Sequence, residues 1–159
     1  MKGKGKVMSR HKQQREQTTI GDAISTAFTE LELLAEEMRE WADNMEEKLS
    51  HTERYEQVSE AADTLENLSE PDADGLEQFL SPAISVLQYV QTIRTPRWAR
   101  RDNCTVYLDA AISALETARD DLPETEANEE TRDTLTDFID ELESARDDAE
   151  GVVFPGMFG

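Results

Sequence analysis

Glu37 and Glu40 stand three residues apart, and Glu60 and Asp63 repeat that spacing further along the chain. On a helix each pair shares a face, and two such faces turned towards one another converge oxygen ligands on a hard divalent cation. A magnesium ion held in that way neutralises phosphoryl oxygens, so the chemistry on offer is phosphoanhydride hydrolysis. The same interval recurs at Glu53/Glu56, Glu126/Glu129 and Glu130/Asp133. With 36 acidic residues among 159, such pairs also arise from composition alone.

The order Glu37-Met-Arg-Glu40 followed by Glu60-Ala-Ala-Asp63 resembles, in spacing, the E-x-x-E and E-x-x-D motifs with which all-α nucleotide pyrophosphohydrolases bind magnesium. That resemblance implies an all-α fold, a magnesium cofactor and a nucleotide substrate. It spans eight residues, and Glu37 and Glu40 flank the apolar Met38 and Trp41 on the solvent side of their helix. Nucleotide hydrolysis is accordingly the third reading. No Glu-x-x-His is present for a di-iron site. One cysteine and two histidines exclude a disulfide framework and a thiolate or imidazole metal cluster. Cys104 falls on an apolar stripe, where a buried, inert thiol is expected. The expectation is no catalytic residue, no metal and no cofactor.

Three segments suit binding better. Arg94-Thr-Pro-Arg-Trp-Ala-Arg-Arg101 gathers four arginines around Trp98. Arg97, Arg100 and Arg101 with Trp98 suit a partner's carboxylates or stacked bases, or else pair with acidic helices of the chain itself. The head, residues 1–17, interleaves glycine with Lys4, Lys6 and Arg10 and has little to bury, so a disordered arm is expected. The last residues, 151–159, place Phe154, Met157 and Phe158 around Pro155-Gly156. They form either a docking peptide or a flap over the end of the fold.

The elements that must position these residues follow from the apolar spacing. Ile20, Ile24, Ala27, Leu31, Leu34, Met38, Trp41 and Met45 step alternately by four and three, one stripe of a continuous helix. Tyr55-Val58-Ala62-Leu65, Leu80-Ala83-Leu87-Val90, Cys104 to Leu122 and Leu135 to Ala149 carry similar stripes. Thr18 or Thr19 and Thr52 are candidate N-caps, and Ser81-Pro82 and Thr95-Pro96 read as helix starts. No strand is expected. The fold class is all-α, a four- to five-helix bundle with coiled-coil-like heptad seams spanning 18–150. Ile112–Asp121 and Ile139–Asp148 agree at seven of ten positions. Two copies are too few for a repeat array, and shared demands at the ends of two acidic helices account for the match.

Charge is laid out in blocks: +5 over 1–17, −14 over 18–74, +3 over 75–101 and −14 over 102–150, for a total of −20. Such a body repels nucleic acid and anionic membrane and attracts basic surfaces. Direct nucleic-acid contact is expected only through the basic arm, if anywhere. The chain lacks a signal-like head and any uncharged run of membrane-spanning length, so a soluble, intracellular, cytoplasmic protein is expected. The resulting expectation is a non-catalytic interaction or assembly protein, with a protein partner that bears a basic surface and with homo-oligomerisation as a further route. The alternative is an acidic mimic of nucleic acid that inhibits a DNA- or RNA-binding protein.

Overall fold

A computed structural model describes residues 12–155. Their order is β1 (Gln13–Thr19), α1 (Ile20–Leu49), α2 (Glu53–Glu66), a single turn α3 (Glu77–Leu80), β2 (Ala83–Tyr89), α4 (Arg97–Asp121), a 3-10 turn (Glu126–Asn128) and α5 (Glu129–Glu150). The chain is mostly helical, with one small two-stranded sheet.

Local chemistry sets most boundaries. Thr19 is extended, and its Oγ1 accepts the Asp22 N–H at 3.0 Å, which caps α1. Thr52 does the same for α2 through the Tyr55 N–H at 3.1 Å. Gly75, at φ 84°, makes the left-handed turn that leads into α3. Gly21 lets the end of α3 approach the first turn of α1, because a Cβ there would stand 3.2 Å from Leu80 Cβ.

The stripe on α1 is buried almost throughout: Ile20, Ile24, Ala27, Leu31, Leu34, Met38 and Met45 lie in the core, and Trp41 packs against it half-buried. Val58, Ala62 and Leu65 of α2, Leu108, Ala111 and Leu115 of α4, and Leu135, Phe138, Leu142 and Ala149 of α5 join the same cluster. α1 packs against both α2 and α4, α4 packs against α5, and α5 also touches α2. Arg39 of α1 reaches Asp63 and Glu66, whereas Ser25 reaches Glu70, so α1 and the α2 segment run antiparallel. Arg101 meets Ala149, Asp109 meets Arg146 and Arg119 meets Thr136, which makes α4 and α5 antiparallel as well. These contacts explain the internal sequence match. Arg119 and Arg146 occupy equivalent places in the two matched segments; each bonds the aspartate that follows it and reaches across to the other helix. The two segments are related by a local pseudo-twofold.

Three expectations are corrected. The stripe Leu80-Ala83-Leu87-Val90 is not helical, because residues 83–89 form β2, antiparallel to β1 in the register Gln13↔Tyr89 to Thr19↔Ala83. Pro82 blocks helix propagation from α3, and β-branched Ile84, Val86 and Val90 alternate with the exposed Ala83, Ser85 and Leu87, a period of two in which Val86 is buried. The expectation of no strand fails with it. Residues 13–17, expected in the disordered arm, are part of β1, while residues 1–11 lie outside the described residues.

Candidate partner-binding surface

The basic segment of α4 turns inward. Arg100 Nε donates to Glu30 Oε2, and its two terminal nitrogens donate to Glu37 Oε1 and Oε2 at 2.9 and 2.8 Å. Arg97 Nε reaches the same Glu37 at 2.9 Å and lays its guanidinium 5.4 Å from the Trp41 ring centroid. Burial pushes the Glu37 carboxyl up, but the hydrogen bonds and charges of Arg100 and Arg97 outweigh it and hold the group below the ordinary carboxylate range. Arg101 Nη1 donates to the carbonyls of Ala149, Glu150 and Val152. It thereby satisfies the orphan end of α5 and places a cation at the negative end of that helix dipole. Trp98 meets Tyr89 edge-on at 6.1 Å.

The described part of the tail lies on the body. Val152 and Pro155 are buried, and Phe154 packs half-buried against the core with the Arg101 guanidinium 5.4 Å from its ring centroid. Met157, Phe158, Lys4, Lys6 and Arg10 lie outside the described residues.

Of the four carboxylates in the candidate magnesium motif, Glu37 and Asp63 are engaged with arginines, while Glu40 and Glu60 are exposed. Glu37 is held by Arg97 and Arg100, and Asp63 pairs with Arg39, which also grips Glu66 through two nitrogens. Among the described residues no group of three or more carboxylate, imidazole or thiol side chains is placed to hold a metal ion. Cys104 is buried, its Sγ donates to the Arg100 carbonyl at 3.3 Å, and burial together with the nearby Glu30 charge pushes the thiol far up.

A groove of about 490 Å³ runs between the β-ribbon, the first half of α1 and α4. Thr18, Ser25, Thr26, Thr29, Gln88 and Tyr107 line it with neutral polar groups, beside the carboxylates of Asp22 and Glu30. Asn103 and Gln88, which sequence reasoning passed over, organise its floor. The Asn103 amide accepts from the Tyr89 N–H at 2.7 Å and donates to the Tyr89 carbonyl at 3.0 Å, and Tyr107 Oη donates to Gln88 Oε1 at 2.8 Å. An asparagine in the second turn of an amphipathic helix, next to the start of its apolar stripe at Cys104, was the available signal.

The inward arginines determine the outer face. Of the ten basic residues within 18–150, seven arginines (39, 97, 100, 101, 119, 132 and 146) bond oxygens of the same chain, whereas the segment holds 35 acidic residues. On α5 the exposed Asp133, Asp137, Asp140, Glu141 and Asp148 follow one another at helical steps along the side opposite the buried Leu135, Phe138 and Leu142. No helix among the described residues is long and apolar enough to cross a membrane. No family model, curated protein or solved structure matches this chain.

Proposed function

We propose that this chain is a non-catalytic interaction or assembly protein whose acidic helical body presents carboxylates to a basic surface of a protein partner. The observation that carries this reading is the inward use of its arginines. Seven of the ten cations within the body bond Glu30, Glu37, Asp63, Glu66, other side-chain oxygens or helix-end carbonyls, and no ion pair among the described residues includes Asp133, Asp137, Asp140, Glu141 or Asp148 of the α5 stripe. In this reading the narrow apolar stripe of α1 is a coiled-coil-like seam, and the scaffold's task is to hold the outer carboxylates in fixed positions. The basic arm contributes weak, screened attraction between chains. The apolar tail contributes short-range contact through Met157 and Phe158, with Phe154 as its anchor on the body.

Neutralising the stripe tests the reading. Asp137→Asn, Asp140→Asn and Glu141→Gln together should weaken capture of partners from the native host, most strongly at low ionic strength, with helical content unchanged. Capture that ignores this triple change at every salt concentration removes the acidic face from the function. The stripe also favours the alternative of nucleic-acid mimicry, since it sets carboxylates about one helical turn, ~5.4 Å, apart. Under that alternative the captured proteins are nucleic-acid binders, and duplex DNA displaces the chain from them.

A further inference from the structure

The two edges of the β-ribbon differ. The Ile20 N–H donates to the Pro82 carbonyl at one end of the ladder, and the Val90 N–H donates to the Lys12 carbonyl at the other. In an antiparallel pair hydrogen-bonded and non-bonded positions alternate, so the even-numbered residues of both strands bond each other. The odd-numbered residues then turn their N–H and C=O groups outward. On the outer side of β2, α4 lies alongside, and the Asn103 amide occupies both outward groups of Tyr89 as a neighbouring strand would. On the outer side of β1, Gln13, Arg15 and Gln17 are exposed, and among the described residues no backbone hydrogen bond leaves that edge. An uncovered edge is a template for another strand.

We propose that the β1 edge is completed by β1 of a second copy of this chain, giving a four-stranded antiparallel sheet about a twofold axis. The contact is isologous, so outward odd residues must meet outward odd residues and the axis passes beside a residue rather than between two. Centred on Arg15, the pairing sets Arg15 against itself; centred on Glu16, it sets Glu16 against itself. Centred on Gln13 or Gln17, it pairs no opposite charges among the described residues. Centred on Gln14, it sets Lys12 opposite Glu16 of the second copy, twice, and Gln13 opposite Arg15. The Lys12–Glu16 positions are then non-hydrogen-bonded ones, where facing side chains stand closest. Two strands alone are marginal in water, and four gain mutual support. This contact uses the ribbon and not the α5 carboxylates, so it stands or falls separately from the proposed partner binding.

Sedimentation of the full chain over a concentration series at low ionic strength tests it, and a monomer–dimer equilibrium is expected. Lys12→Glu and Glu16→Lys should each weaken the dimer about tenfold. The second change lowers the net negative charge, so general repulsion predicts the opposite sign for it. The combined K12E/E16K chain should recover the parental constant. Arg15→Pro removes an outward donor and spares the donors that pair with β2, so it should abolish the dimer with the far-ultraviolet circular dichroism unchanged. A chain that remains monomeric throughout overturns the proposal. So does a dimer indifferent to these changes, or one that the double reversal does not restore.

Discussion

Arg100 joins two helices that the sequence separates by some fifty residues. Its guanidinium ties the start of α4 to Glu30 and Glu37 in the middle of α1, with side chains only 18, 20 and 35% exposed. Removing it leaves two partly buried carboxylates short of donors, so Arg100→Gln should cost about 1–3 kcal/mol in a urea melt. The Glu37 carboxyl should then titrate higher, because burial persists while its principal partner is gone. The sign follows for stability against pH. A carboxylate lowered in the folded state stabilises above its unfolded value, and that contribution disappears as pH falls through the lowered folded value. The parent should therefore lose more stability on acidification through that window than Arg100→Gln does, and carbon-13 titration of the Glu37 carboxyl checks the assignment. Cys104 makes a simpler case: it should resist thiol reagents in the folded protein and react on unfolding, and rapid native labelling contradicts its burial. Composition revealed the arginine cluster and the abundance of acid. It did not reveal which carboxylates the arginines would choose, because pairing depends on helix register across α1 and α4.

At the scale of elements, the long apolar stripes were legible and the ribbon was not. The α1 stripe repeats for more than six turns, so its period is unambiguous, and Leu31, Leu34 and Met38 are all buried as it implies. Leu34→Ala should cost about 2–5 kcal/mol, and a loss under half a kcal/mol in a urea melt would contradict its place in the core. Over eleven residues from Leu80 to Val90, by contrast, three- and four-residue steps and alternation fit the same apolar residues. Pro82 and the β-branched Ile84 and Val86 settle the choice for strand, as does the presence of a partner in β1, which lies some seventy residues away and reads in isolation as a polar tail. Asn103 then fixes the ribbon to α4. Asn103→Ala should leave the outward groups of Tyr89 without that partner, costing about 1–3 kcal/mol and lowering amide-exchange protection in β2 before the helices. Equal protection loss in every element would mean that the ribbon is not a separate unit.

For the whole molecule, charge works against compactness while the apolar core works for it. Residues 18–150 carry 35 acidic and ten basic side chains, and most of the carboxylates lack an arginine or lysine neighbour. The charge layout was readable from the sequence, but its direction was not: only the fold reveals that the arginines face α1 and the ends of α5 while the carboxylates of α5 face out. Two salt effects therefore oppose each other. Screening weakens the nine ion pairs among the described residues, most of which have a substantially exposed member and contribute little each. It also relieves repulsion among the many unpaired carboxylates, which act over a Debye length of about 8–10 Å near physiological salt and farther in dilute buffer. The core is indifferent to ionic strength in that range, since apolar burial is not screened. Repulsion involves far more groups than attraction, so the thermal midpoint should rise as sodium chloride increases from low to moderate concentration. A midpoint that falls over that range would mean that the ion pairs of Arg39, Arg97, Arg100 and Arg146 dominate, and that the outer carboxylates are too widely spaced to act as one field on a basic partner.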